Sequence, residues 1–540
     1  MNRLKKIHVP SFMVLVFFLL SAICPLYGEN PNEKKDISIG LLPSDLGFNP
    51  LHTYTTTEAQ VYTALYEGLV SYNPFTLEPI PAVARYWEIS EDKKIYRFYL
   101  REDARYWNGL KVTAQHFKDS WLRLLNPAEK AEYSFLFDII KNAQAYRLGK
   151  ITNPDEVGIK VISENLLEVK LEQPAGHFLK ILCHHSFVPI YPDFLDKKEW
   201  RSSVFIPGNG PFYILRRSPE EIVLRKNEMY WGAKDIKIPG IRLRFIDDPE
   251  KMSKLFNDGE IQWVADGAAI DKVANRETII PNPLFSTNYY YFSSSQKPWD
   301  NPLVRKGLAF LLPWDKIRSN QILILPTETL VPRISDYPKV EGINARDVAK
   351  GLKFLEQAGY PRGDGLPEIH IKIPMGEEPE RVVALVKETW EKEVNVKVSI
   401  TEYDYPAYYD ELKKNDYALG TITWIGDFAD PLAFLQMWTS DSNLNDAQYK
   451  NNDFDSLIKK SMEETGRERY KILSEAEGLL LQEAIVLPVS HSPALNVIDL
   501  SEIDGWFPNA LDIHPFKYLR YRVPTVKPGI VMDSATGKTG

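Results

Sequence analysis

A mixed α/β chain built as two lobes is what this sequence predicts, and three observations carry the prediction. The chain has 540 residues, more than one ordinary core accommodates, so two or three domains are expected. Its first half alternates short strands with turns, an α+β texture. Its later half runs strand, helix, strand with a crossover long enough to pair both strands in parallel through a right-handed connection.

The elements follow in chain order. Ile95, Arg97 and Tyr99 alternate with Tyr96, Phe98 and Leu100, as in a strand, and Asn108-Gly109 reads as a turn. Thr113 caps a helix with Phe117, Trp121 and Leu125 on one face, which Asn126-Pro127 stops. IKVIS and LLEVKLE, either side of Ser163-Glu164-Asn165, read as a hairpin. In the later half Asn344 caps a helix carrying Val348, Leu352, Leu355 and Ala358, ended by Gly359. Then come EIHIKI (Glu368 to Ile373), a helix from about Pro379 through Val382, Val383, Val386 and Trp390, and the alternating VNVKVSI (Val394 to Ile400). No internal repeat is visible, and the chain beyond Val523 reads as a polar tail.

Composition narrows the function classes. With 44% hydrophobic and 26% charged residues the chain is globular. A net charge of -8 with no basic stripe argues against a nucleic-acid partner. Arg3, Lys5 and Lys6 precede an apolar run from Phe12 to Ile23, too short for a comfortable membrane span, and predict an export signal over residues 1–28 with cleavage after Gly28. Cys24 opens a second route, lipid attachment, although Ile23 is bulkier than the small residue usual before an acylated cysteine. If Cys24 leaves with the signal, Cys183 is alone and no intramolecular disulfide forms. The mature chain is therefore expected outside the cytoplasm, in the periplasm or held at the envelope by a lipid.

The motifs of catalysis are missing: there is no nucleophile elbow, no HExxH, no phosphate-cradling loop and no dinucleotide fingerprint. Cys183-His184-His185 is the best metal candidate, but neighbouring residues of a strand face opposite ways, so the triplet reads as structural. No enzyme, metal or cofactor is expected. Aromatic tracts such as TNYYYF (Thr287 to Phe292) and DYPAYYD (Asp404 to Asp410) suit either a large core or a ring-lined cleft. The stretch TWIGDFADP, Thr423 to Pro431, poses a sharper question. Asp427 lies among Trp424, Ile425, Gly426 and Phe428, and no Lys or Arg occurs between Lys414 and Lys450. A buried carboxylate needs a cation. Two readings stay open: a turn residue bonded to its own backbone, or a carboxylate whose cation is the ligand.

The stretch from Pro81 to Trp121, PAVARYWEISEDKKIYRFYLREDARYWNGLKVTAQHFKDSW, resembles the signature region of oligopeptide- and dipeptide-binding proteins of bacterial ABC importers. The similarity continues through LYEGLV (Leu65 to Val70), GNGPFYILR (Gly208 to Arg216), IVLRKNEMYWG (Ile222 to Gly232), YYYFSSSQKPWDNPLVRKGLAF (Tyr289 to Phe310), DFADPLAFL and AIVLPVSH (Ala484 to His491). The resemblance implies a type II periplasmic-binding-protein fold with an extra α+β subdomain in its first lobe. Lobe one would hold residues 35–287 and 491–525 with an insert over about 78–188, lobe two residues 288–490, and the tail residues 526–540. The implied role is capture of a short peptide between the lobes and delivery to a permease with separate ATPase subunits, by a monomer that performs no chemistry.

The resemblance also assigns residues. An aspartate three positions after a tryptophan receives the peptide's α-amino group in similar binders, which falls on Asp427, with Trp424, Ile425 and Gly426 flanking one side of the peptide backbone. Glu58 in TTTEAQ matches a segment flanking the other side, Tyr405 matches an aromatic lining a side-chain pocket, and Tyr133 and His491 are further pocket candidates. The basic residues that some tripeptide binders carry just before the Trp-x-x-Asp segment are missing from YALGTIT, which leaves peptide length open. Relatives that bind metal chelates, haem, glutathione or oligosaccharides keep a non-peptide ligand as the alternative, ahead of a hydrolase or an envelope sensor.

Overall fold

The computed structural model describes residues 35–522 except positions 45, 54, 199, 204, 283, 320–324, 335, 427, 429, 465 and 492. The export signal, Cys24, the tail and Asp427 thus lie outside the described residues. Strand β1 (Ile37–Leu41) opens the first sheet with every side chain buried, as a central strand requires. Helix α1 (Thr56–Leu65) starts from a capping box, in which Thr55 Oγ1 accepts from Glu58 N and the Glu58 carboxylate accepts from Thr55 N.

An insert follows. Strands β2 (Ala84–Ile89) and β3 (Ile95–Leu100), helices α2 (Ala114–Leu124) and α3 (Ala143–Arg147), and strands β4 (Ile159–Ser163) and β5 (Leu166–Lys170) build a four-stranded sheet in the order β2-β3-β5-β4. The sheet is antiparallel throughout. Strand β3, the hairpin β4-β5 and the helix after Thr113 lie where the sequence puts them, with Phe117, Trp121 and Leu125 fully buried. The chain then resumes the first sheet with β6 (Phe212–Arg217), β7 (Glu221–Lys226), β8 (Gly240–Phe245), β9 (Trp263–Val264) and β10 (Ile279–Asn282).

The second sheet begins at β11 (Ser286–Phe292) and continues through β12 (Leu325–Pro326), α4 (Val348–Gln357), β13 (Ile369–Pro374), α5 (Glu377–Val394), β14 (Val398–Tyr403), α6 (Tyr405–Leu412), β15 (Leu419–Ile425), α7 (Gly466–Gln482) and β16 (Val486–His491). Its order is β12-β16-β11-β15-β13-β14. Strand β17 (Ala494–Ile498) returns to the first sheet, whose order is β10-β17-β9-β1-β8-β7-β6. The chain therefore crosses between sheets twice, from Asn282 to Ser286 and from His491 to Ala494.

Three expectations need correction. The cap of α4 is Asp347, whose carboxylate accepts from Lys350 N, rather than Asn344. Strand β14 starts at Val398, because α5 runs on to Val394 and turns at Asn395 in a left-handed conformation. The first half is not purely α+β either: β1 pairs in parallel with both β8 and β9, strands too far away in sequence for local periodicity to reveal. The expected parallel pairing of β13 with β14 is present.

Several blocks quoted for the resemblance converge on one buried node. Glu67 accepts hydrogen bonds from Tyr230, Trp231 and Lys517, while Asn209 bonds both backbone groups of Glu67. A Cβ on Gly208 would lie 1.9 Å from the Leu65 carbonyl oxygen, so that position needs glycine. The bonds to Glu67 tie the segment after α1 to the connection between β7 and β8 and to the C-terminal stretch around Lys517. Among the described residues no helix is long and apolar enough to cross a membrane.

Candidate functional site

Open α/β sheets bind ligands beyond the carboxyl ends of their parallel strands. In the first sheet the parallel strands β1, β8 and β9 end at Leu41, Phe245 and Val264; in the second, β13, β14 and β15 end at Pro374, Tyr403 and Ile425. Asp266 follows β9, Tyr405 follows β14 and Gly426 follows β15. Charges on one edge are felt at the other. Burial and then the charge of Asp266 raise the Tyr405 phenol, and burial, Tyr405 and then Glu58 raise that of Tyr409, so groups of the two sheets lie within electrostatic reach.

Strand β15 carries the most telling feature. Along a strand, backbone groups point alternately to one side and the other. Gly426 N donates to Phe285 O at 2.8 Å, so Gly426 and, two residues back, Trp424 turn their backbone groups toward β11. Thr421 has the opposite parity: its N–H donates to Tyr408 Oη at 3.0 Å and its carbonyl accepts from the same phenol at 2.8 Å. Thr423 and Ile425 share that outward parity. Strand β13 meets β15 only at Ile371 opposite Leu419 and ends at Pro374, and no described residue takes up the backbone groups of Thr423 or Ile425 on that side. Thr423 is exposed in a strand whose other central residues are buried. A short open strand edge thus lies at the carboxyl end of the second sheet.

The loop after β15 is fixed from behind. Trp424 Nε1 donates to Ala433 O at 2.9 Å, and a Cβ on Gly426 would lie 2.7 Å from the Phe285 ring and 2.9 Å from that of Phe434. Asp430 is buried and receives both guanidinium nitrogens of Arg469, at 2.7 and 2.8 Å, while its Oδ1 also accepts from Leu432 N. Burial pushes the Asp430 carboxyl up, and Arg469 more than reverses it, leaving the group below the usual carboxylate range. From the first-sheet side, the buried His177 ring lies parallel to Phe428 at 6.1 Å, and burial lowers its imidazole to about 4.

The named site residues divide on inspection. Tyr405, half exposed, stands just past β14, and Ile425 belongs to the open backbone edge. Glu58 reaches the same region, its carboxylate engaged with Thr55 and Tyr62. Tyr133 is buried with its ring 4.3 Å from that of His184. Trp424 and Gly426 frame the edge: the indole is buried in the loop and both backbone groups face β11. His491 lies at the second crossover. Its Nδ1 sits 2.9 Å from Ser286 O and 3.0 Å from Thr287 Oγ1, so the ring ties together the two crossovers between the sheets.

Cys183-His184-His185 follows a short helix rather than lying on a strand, and the two imidazoles pack 4.1 Å apart, both buried and both lowered by that burial. His185 Nε2 lies 2.9 Å from Thr53 Oγ1. Among the described residues no group of three or more His, Cys, Asp or Glu side chains is placed to hold a metal ion.

Sequence reasoning missed Asp266, Thr423 and the Asp430–Arg469 pair. Solvent reaches the Asp266 side chain, yet protein surrounds it on most sides, and burial raises its carboxyl even though Gly267 N bonds to it. Among the described residues no cation pairs with it. Its only sequence signal is its place just past a strand end, and the strand Trp263–Val264 is too short to be read.

The profile of the bacterial extracellular solute-binding proteins, family 5 middle region, matches residues 78–446. The chain belongs to that family of binding proteins. The oligopeptide-binding protein of Bacillus subtilis is 27% identical over 511 residues, covering 88% of this chain and 92% of its own. A structure of the Escherichia coli murein tripeptide binding protein superposes with a TM-score of 0.82 at 23% identity, over 91% of this chain and 99% of that one. Against an unliganded open form of the murein tripeptide binder the score falls to 0.62, at 24% identity over 91% of this chain and 98% of that one.

Proposed function

We propose that this chain is the peptide-capturing component of a bacterial ABC importer, exported by residues 1–28 and working at the envelope. The observation that carries the reading is the open backbone edge at Thr423 and Ile425, set between the carboxyl ends of two sheets. An extended peptide adds to such an edge through main-chain bonds, which supply affinity without reading side chains. Family membership and relatives whose names specify oligopeptides support it. The lobes are residues 35–287 with 491–525 and residues 288–490, the first with its insert near 78–188. The exchange of sheets near Pro283 and Ser492 supports that division. Asp427, directly beyond the open edge in sequence, receives the peptide's α-amino group, while Tyr405, Tyr133 and the Glu58 segment bound the space around the ligand. The peptide leaves unchanged for a permease driven by separate ATPase subunits.

Calorimetric titration of ligand-stripped protein with a tri- to pentapeptide library, beside the same library N-acetylated, tests this. The expected result is binding of the free-amine library alone, weakened by about 2 to 5 kcal/mol in Asp427→Ala. Equal binding of both libraries overturns the role of Asp427. Binding of neither overturns the peptide reading in favour of a metal chelate or sugar.

A further inference from the structure

Away from the open edge and from both crossovers, the insert reaches the second sheet's side through a separate set of bonds. Arg147, the last residue of α3, is buried and holds Asp138 with two nitrogens, at 2.9 and 2.6 Å. Its third nitrogen donates to Asp441 O at 2.9 Å, and Gln144 Nε2 donates to Asp441 Oδ2 at 3.0 Å. Beside them Asn443 Nδ2 donates to Ala131 O at 2.8 Å and to Ser134 Oγ at 3.0 Å, and Gln436 Nε2 donates to Phe135 O at 3.3 Å. Residues 131–147 lie between β3 and β4, and residues 436–443 follow β15, so all of these bonds except the Arg147–Asp138 pair span the two units.

We infer that this set is a closure latch, which favours the closed arrangement without help from the ligand and so sets how fast a ligand is released. The arrangement of charge suits reversible opening. When the units part, Arg147 keeps its forked pair with Asp138, so no charge is stranded, whereas Asp441 and Asn443 recover water. Opening therefore costs the spanning bonds, about 1 kcal/mol net for each neutral one and more for those of Arg147, which include an ion pair with Asp441 Oδ2 at 3.4 Å. Apparent affinity scales with the closed fraction, so removing latch bonds weakens binding from a distance. Arg147, Asp441 and Asn443 act here as positioning residues. The inference rests on the reading that a ligand is held between the two sheets.

The test is Asp441→Ala combined with Asn443→Ala, which leaves Arg147 and Asp138 paired. Small-angle scattering of the ligand-free protein reads the closed fraction, and stopped-flow release of a fluorescent free-amine tripeptide reads retention. The expected result is a larger radius of gyration without ligand and release faster by about tenfold, with a cooperative thermal melt retained. Unchanged scattering overturns the latch, even with faster release, because the residues would then act on the ligand directly. Should the wild-type protein bind no peptide, the peptide reading fails while the scattering arm still decides the latch.

Discussion

Two buried carboxylates meet helix α7 and are stabilised in opposite ways. Asp430, in the loop that carries the candidate site, is paired through a guanidinium fork with Arg469 of α7 and held below the ordinary carboxylate range. Glu477, on α7 itself and fully buried, meets no cation among the described residues: Oε1 accepts from Leu330 N at 2.8 Å and Val331 N at 3.0 Å, and Oε2 from Tyr337 Oη at 2.9 Å. Burial pushes its carboxyl up to about 7, the three donors offsetting only part of that. The difference is one of partners: at Asp430 the cation outweighs burial and fixes the acid as an ion, whereas at Glu477 neutral donors do not and leave it titratable. The loop of the candidate site has the permanent charge pair, and Glu477, bonded to Leu330, Val331 and Tyr337, is the titratable acid.

Breaking the ion pair should have the largest effect. Arg469→Met strands a buried carboxylate and is expected to lower unfolding free energy by about 3–5 kcal/mol, read as a shift in urea midpoint. Adding Asp430→Asn should restore most of that loss, because the stranded charge is then gone. A single variant as stable as the wild type would show that Asp430 is hydrated or otherwise paired.

Titrating Glu477 sharpens the contrast. Its displacement from the ordinary 4.5 to about 7 corresponds to about 3 kcal/mol. Below pH 4.5 the acid is protonated in both folded and unfolded chains, and its contribution is fully present. Between pH 4.5 and 7 the unfolded chain releases the proton while the folded chain keeps it, so stability falls as pH rises and levels off above 7. In Glu477→Gln the amide oxygen can accept from Leu330 and Val331, and the group no longer ionises. Its stability relative to wild type should therefore climb by about 3 kcal/mol from pH 4 to pH 8. Parallel stability curves for the two proteins would contradict an ionising Glu477.

The same comparison explains what could be read from the sequence. Strand β3, helix α2 and the parallel pair around α5 were legible because periodicity, caps and turns act over a few residues. The ion pair was not. A search for a cation near TWIGDFADP ends at Lys450, whereas the partner of Asp430 lies 39 residues away on a helix that packs beneath the loop. Trp424 and Gly426 were visible as a pattern, but which way their backbone groups turn depends on pairing with β11, set by register. The parallel trio β1, β8 and β9 and the latch at Arg147 escape for the same reason, since their partners meet only in three dimensions.

Asp266 is the third member of the comparison and has the smallest expected effect. Unlike Asp430 it has no cation among the described residues, and unlike Glu477 it is open to solvent just past β9, with burial and the charge of Asp512 raising its carboxyl. Asp512 itself is taken up by Asn282, Asn496 and His514. An unpaired carboxylate in such a place favours a cationic group that arrives with the ligand. Among free-amine tripeptides, those with lysine should bind tighter than matched norleucine peptides, and Asp266→Asn should narrow that preference by roughly fivefold, the scale of a partly exposed ion pair. Raising salt should narrow it as well, because the pair stays partly screened. If the preference survives Asp266→Asn intact, the cation is read by another acid, and the open edge at Thr423 and Ile425 is served without any charge from the first sheet.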